Sequence, residues 1–489
     1  VVAYAGFLLY LAFRRGREDR SAVGEYLLAG RSLTVPAFVA TLVSTWYGGV
    51  LGVGEYSYSY GLSNWLALGG PYYLTGLIFA LVLARRARES SLVTVPERLL
   101  RDHGPAAGTL GAALVFVSML PAPYLLMLGV LTERSLGVGL ASGVIIAAVF
   151  SALCVVGGGF RSVVRTNALQ FVLMYGGFVV ILPIALYQIG GFGAFAQLPD
   201  EHLTWDGGLG LQAILVWYVI AMQALVEPTF YQRCYAAKDP ATARRGILWS
   251  VVFWIVFDAL TTTTGMAARV LLPNLDNPVE AYPALADAVL PTVLRGLFYV
   301  GLIATVMSTV ESYLFVAATT LGFDLPAAWR AVTTRPNAAN PVGTSPNAAD
   351  PVGTRPRAPE APEVGPPPPS ELLHRRGTRL GLIVATLASV ALALASQSVV
   401  ALWKGIGSVI TPALLLPLIG GFIPRLRASR SATLTSMAGS ALIALAWMAP
   451  AWLGGTHPFG WEPIFPALAW SLLCHLPAWL RLSTRGGHP

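Results

Sequence analysis

The chain has 489 residues, of which 55% are hydrophobic and 11% charged, with a mean hydropathy of +0.63. Soluble domains carry about a quarter charged residues, so the composition excludes a soluble protein and points to an all-α integral membrane protein. The net charge of +8 is explained by membrane topology, with a basic cytoplasmic face beside anionic lipid, and implies no nucleic-acid partner.

Apolar stretches able to cross about 30 Å of hydrocarbon begin near Val1, Pro36, Trp65, Thr109, Leu136, Asn167, Leu209, Ile247, Thr292, Leu380, Val399, Ala432 and Pro463, which predicts about 13 transmembrane helices. The first is short, as in a chain clipped at its start. Arg14, Arg15 and Arg17 follow it without a small-residue cleavage site, which reads as a stop-transfer span rather than a signal peptide. An odd number of spans puts the termini on opposite sides. Every Lys and Arg except Arg134, Arg269, Arg295 and Lys404 falls in loops or flanks at 14–31, 85–101, 161–165, 233–245, 330–379, 425–430 or 481–485. By the positive-inside rule these face the cytoplasm, so the expected placement is in the cell membrane with the N-terminus outside and the C-terminus in the cytoplasm.

The second span contains Ser44-Thr45-Trp46-Tyr47-Gly48-Gly49 with Gly52 and Gly54. A Gly pair lets the backbone leave helical geometry and expose carbonyls, which hydrocarbon tolerates only at a cavity or ligand. A small-residue packing face is the competing explanation. The seventh span ends with Gln223, Glu227 and Pro228 ahead of Tyr231-Gln232-Arg233. Gln223 and Glu227 stand at i, i+4, on one face of a helix. An ionised Glu inside a membrane costs roughly 2.5–3.5 kcal/mol, so Glu227 is expected to contact solute, to be protonated, or to pair with Arg233 or Arg244. Asp258, followed by Thr261 to Thr264, poses the same question. Trp46, Tyr47 and Trp217 are candidates for stacking on a solute, although aromatic packing is the commoner fate.

In the ninth span, Thr305, Ser308, Thr309 and Ser312 fall at i, i+3, i+4, i+7. Four hydroxyls on one stripe make a hard oxygen surface suited to a small cation. Glu311 points about 100° away from it, which suits a structural pairing role. Between Arg335 and Pro369 the chain reads RPNAANPVGT, SPNAADPVGT and a Pro/Ala tail, a composition that cannot bury a core and predicts a disordered cytoplasmic loop. Cys154, Cys234 and Cys474 predict no disulfide, and the six His show no metal spacing. There is no phosphate-binding Gly-rich loop, which argues against primary active transport.

Gly158-Gly159-Phe160-Arg161-Ser162, Thr166-Asn167-Ala168-Leu169-Gln170, Tyr231 through Asp239, and Ala304-Thr305-Val306-Met307-Ser308-Thr309 resemble the sodium:solute symporter family of sodium/glucose and sodium/proline transporters, as does the opening Tyr26 to Leu33. The resemblance covers nearly the whole chain except the Pro-rich insert. It implies a leucine-transporter-like core of two inverted five-helix repeats. Residues 1–35 would hold an extra helix and a cytoplasmic loop, 36–190 the first repeat and 191–208 an extracellular loop. The second repeat would span 209–424, interrupted by the loop at 333–370, with two helices and a tail at 425–489.

The resemblance further implies a sodium site formed by the Leu42, Thr45 and Thr305 carbonyls with the Ser308 and Thr309 hydroxyls. Solute would meet Trp46, Tyr47, Gly49, Gln223 and Glu227, and coupling would involve Asn167, where many members carry Asp. The expected function is not enzymatic. It is sodium-coupled symport of a small polar organic solute into the cell by alternating access, with Na+ as the transported coupling ion and the lipid bilayer as surroundings. Proton coupling through Glu227, Asp258 or Glu311 is the alternative, followed by a transporter-like solute sensor. The sequence sets no oligomeric state.

Overall fold

A computed structural model describes residues 2–13, 23–156, 159–333, 369–396 and 399–485. The Pro-rich duplication and the arginines after the first span lie outside the described residues. Helices make up the fold, and one isolated parallel bridge, Leu33 to Ala237, ties two segments at the same end of the molecule. Among the described residues, ten helices are long and apolar enough to cross a membrane. Two shorter apolar helices, Leu140–Val156 and Ile464–Leu480, and the helix Val2–Phe13 stand where the other three spans were expected.

The helices that build the site are α1 (Val35–Trp46) and α2 (Val50–Tyr60), α3 (Asn64–Glu89), α4 (Ala122–Leu136) and α5 (Gly159–Ile189). They continue with α6 (Gly210–Ala221), α7 (Pro228–Ala236) and α8 (Pro240–Leu271). The set ends with α9 (Thr292–Thr319), α10 (Pro369–Ala395) and α11 (Val399–Phe422). Helix α9 lies at the centre, packed against α1, α4, α5 and α10, and from Phe298 to Thr319 all but Val300 are buried. Apart from its hydroxyl stripe and Glu311, the buried part of the helix is largely apolar, which suits that position. The two C-terminal helices pack on each other and on α11.

Small residues set the closest crossings, as membrane helices require. A Cβ on Gly322 would fall on the backbone of Gly377 and Thr378, and one on Gly377 would fall on Gly322. At one end of the bundle a short helix, Val95–His103, is capped by Thr94, whose hydroxyl accepts from the Glu97 amide at 3.2 Å. Its Asp102 binds Arg98 at 2.5 Å and Arg427 at 3.1 Å, and Arg98 also donates to the Gly421 carbonyl. This clasp joins that helix to the end of α11.

Gly322→Ala is expected to cost ~1–3 kcal/mol by overpacking a backbone crossing and to lower the melting midpoint in detergent by several degrees. Gly296→Ala, at a position with nothing within 4 Å of the added Cβ, should leave the midpoint unchanged.

Candidate functional site

Helix α1 stops at Trp46, and the chain runs through a 3-10 turn, Tyr47–Gly49, before α2 resumes. The glycines are required because the turn presses on its neighbours. A Cβ on Gly48 would fall on the Thr309 side chain, and one on Gly49 on the Trp403 ring. A break of this kind frees carbonyls at the end of the first segment, and α9 meets two of them. Ser308 Oγ donates to the Ser44 carbonyl at 2.7 Å and Thr309 Oγ1 to the Thr45 carbonyl at 2.5 Å. Ser308 Oγ also lies 2.7 Å from the Thr305 carbonyl, while the Thr305 hydroxyl returns to Gly301 in its own helix at 2.7 Å.

The structure therefore gathers Thr45, Thr305, Ser308 and Thr309 at one point and adds Ser44. Leu42 is buried in the same helix but takes no part in the hydroxyl contacts. All the gathered oxygens are hard, neutral donors, the type that suits an alkali cation. Among the described residues no cluster of His, Cys, Asp or Glu is arranged to hold a metal ion.

Beside this point the fourth hydroxyl of the stripe enters a second network. Ser312 Oγ and Thr45 Oγ1 lie 2.9 Å apart, and Asn167 Nδ2 donates to Thr41 Oγ1 at 2.9 Å and to Thr45 Oγ1 at 3.0 Å. One amino group of Arg233 reaches the same oxygens, at 3.0 Å from Thr41, 2.7 Å from Thr45 and 3.1 Å from Ser312. Its other amino group donates to the Thr229 carbonyl at 3.1 Å. Arg233 is fully buried, although its sequence position reads as a cytoplasmic flank. Of the options open to Glu227, pairing with Arg233 does not form within 4 Å; Glu227 accepts from Thr229 Oγ1 at 3.1 Å.

Above the break lies a cavity of about 690 Å³. Trp46, Tyr47, Gly49, Gln223 and Glu227 all line it. Gln223 and Glu227 do so without sharing a helical face, because the backbone unwinds between them. Met222–Leu225 is a 3-10 turn, Glu227 is extended at φ −65°, ψ 111°, and α7 starts afresh at Pro228. Proline has no amide to continue a helix and pushes its predecessor out of the helical region, which the i, i+4 argument overlooked.

Asp258 also lines the cavity, accepting from the Tyr73 hydroxyl, and so do Tyr72, Tyr124, Tyr313 and Trp403. These aromatics come from α3, α4, α9 and α11, so no periodicity in any one helix announces them. Trp46 packs on Tyr72 with ring centroids 5.2 Å apart and on Trp254 at 5.3 Å. Glu311 faces away from the hydroxyl stripe, as its helical position predicted, and accepts from Thr166 at 2.8 Å. The lining also includes Tyr60, Trp217, Gly460 and Glu462, so the cavity opens at the end of the bundle opposite the Arg98 clasp.

The model of the sodium:solute symporter family matches residues 26–335. The Haemophilus influenzae sodium/pantothenate symporter is 24% identical over 351 residues, 65% of this chain and 71% of that protein. The Mus musculus sodium/glucose cotransporter 4 is 26% identical, with 66% and 54% covered, and the Canis lupus familiaris sodium/myo-inositol cotransporter 27%, with 64% and 51% covered. The matches thus span about half the length of the two mammalian relatives. Among solved structures, a Na+-coupled sialic acid symporter in a substrate-bound outward-open state superimposes with a TM-score of 0.76 at 14% identity, covering 98% of this chain and 96% of that one. Mhp1, a nucleobase-cation-symport-1 family transporter, gives 0.55 at 12% identity, covering 96% of both chains. At these identities the structural likeness is one of fold, the leucine-transporter-like architecture. With its broken helices, its hydroxyl stripe and a family match over well over half its length, the chain belongs to the sodium:solute symporter family, whose members are transporters and not enzymes.

Proposed function

We propose that this protein is a sodium-coupled symporter that carries a small polar organic solute into the cell by alternating access of the cavity. The observation that carries the reading is the contact of Ser308 and Thr309 with the Ser44 and Thr45 carbonyls, one residue before the cavity-lining Trp46 and Tyr47. Cation and solute would share one helix break, held by α1 on one side and α9 on the other.

Sodium would be ligated by the Ser308 and Thr309 hydroxyls and by carbonyls of Thr305, Thr45 and either Ser44 or Leu42. Each hydroxyl hydrogen that points at a carbonyl turns away when both oxygens face a cation. Sodium thereby replaces the direct α1–α9 hydrogen bonds with bonds through itself. Asn167 and Arg233 grip Thr45 from the other side and transmit that exchange to α5 and α7. The basic clasp end would face the cytoplasm by the positive-inside rule, so the cavity opens outward. The two repeats, 36–190 and 209–424, would rock about it.

The energetics are sufficient. One sodium moving through about 100 mV releases ~2.3 kcal/mol, and a tenfold sodium gradient adds ~1.4 kcal/mol. Together these sustain a roughly 500-fold solute gradient.

Two measurements test this reading. In proteoliposomes, Ser308→Ala/Thr309→Ala should raise the sodium concentration for half-maximal uptake at least about tenfold, the loss of roughly 1.4 kcal/mol of cation binding; uptake with unchanged sodium dependence would refute the site. Glu311→Gln should leave sodium-driven uptake within about twofold of wild type, whereas abolished uptake, together with wild-type uptake driven by a pH gradient without sodium, would establish proton coupling instead.

A further inference from the structure

We propose that the solute bears a positive charge, and is an organic ammonium compound held by Glu227 and Asp258 within the aromatic walls of the cavity. The inference rests on the symport reading and names its substrate class.

Among the described residues, the cavity lining contains the carboxylates Glu55, Glu227, Asp258 and Glu462 and one cation, Lys404. Lys404 is engaged by Glu462 at 3.0 Å, which leaves three carboxylates and no lining cation to balance them. Two of the three are deeply placed, Glu227 at 2% exposure and Asp258 at 7%. A buried carboxylate requires a partner, and here the partners are neutral hydroxyls, Thr229 on Glu227 and Tyr73 on Asp258. The guanidinium of Arg233 hydrogen-bonds neutral oxygens of Thr41, Thr45, Ser312 and Thr229; it does not line the cavity and forms no ion pair with Glu227 within 4 Å, so it acts on that carboxylate only at a distance. A cationic solute brings to these acids a positive charge that their hydroxyl partners cannot supply.

The walls agree with this choice. Trp46, Tyr72, Tyr124, Tyr313 and Trp403 line the same space, and the negative faces of aromatic rings attract ammonium groups. Tyr124 lies against Tyr313 with centroids 5.2 Å apart and against Trp403 at 6.1 Å, so three rings from α4, α9 and α11 form one wall. An anionic solute would meet three carboxylates and no unengaged cation. A neutral polyol could stack on the rings but would leave both buried acids without a counter-charge. At about 690 Å³ the cavity accommodates a small organic molecule.

The test uses the purified full-length chain and reads the melting midpoint in sodium chloride or potassium chloride. Probes are tetramethylammonium, choline and ethanolamine, with 3,3-dimethyl-1-butanol as the uncharged isostere of choline, and myo-inositol and pantothenate as neutral and anionic controls. The expected result is stabilisation by an ammonium compound in sodium, absent for the isostere and both controls. Glu227→Gln and Asp258→Asn should each weaken its apparent affinity at least tenfold, while Glu227→Asp, which keeps the charge, retains binding.

The proposal is overturned if no ammonium compound shifts the midpoint at millimolar concentration, if the isostere, myo-inositol or pantothenate stabilises as well, or if the neutral variants bind unchanged. A charge-selective shift that is equal in potassium keeps the charge assignment and refutes sodium coupling. A sodium-dependent shift by myo-inositol does the reverse.

Discussion

The site depends on the pressure of α9 against a helix that has been interrupted. Gly48 and Gly49 carry no side chains, so the turn they form seats directly on Thr309 and Trp403, and the carbonyls at the end of α1 come within hydrogen-bond reach of Ser308 and Thr309. In hydrocarbon such carbonyls have no water to turn to. The fold therefore supplies hydroxyls, and the two together would be the ligands of the proposed cation site. Replacing either glycine with a larger residue would separate the layers and remove the oxygens from one another.

Arg233 is the second element on which this arrangement rests. A fully buried guanidinium is expensive, and this one is stabilised by Thr41, Thr45 and Ser312, oxygens from both helices that bound the cation point. It fixes α7 to α1 and α9 at once, and Asn167 adds α5 through the same oxygens. Thr45 is common to both networks, its carbonyl toward Thr309 and its hydroxyl toward Arg233. A change in the ligation of that carbonyl is felt by four helices.

How much of this was legible in the sequence depended on whether a feature is local. The hydroxyl stripe is periodic within one helix, so Thr305, Ser308, Thr309 and Ser312 could be read from spacing alone, and the break at Gly48-Gly49 followed from residue type. The membrane spans followed from hydropathy for the same reason. Arg233 was misread as part of a cytoplasmic flank because its partners Thr41 and Thr45 are 192 and 188 residues away. Gln223 and Glu227 were assigned to one helical face, when Pro228 meant the helix could not continue there; both nevertheless reach the cavity, Gln223 from a 3-10 turn and Glu227 from extended backbone. The wall of Tyr124, Tyr313 and Trp403 drew one residue from each of three helices, and no pattern within a single helix encodes such a set.

Charge accounting ties the two halves of the site together. The cation point is built from neutral oxygens, so a bound sodium brings a full positive charge with no carboxylate among its ligands, and Arg233 stands close by. The cavity holds two buried acids, Glu227 and Asp258, to which both a sodium and a charged solute would be drawn. On the proposed reading, a sodium at the helix break and a charged solute in the cavity would share these two carboxylates. Two cations repel one another directly, so the cooperation of sodium with a charged solute would have to come from the helices joined at Thr45, whose carbonyl faces Thr309 and whose hydroxyl faces Arg233.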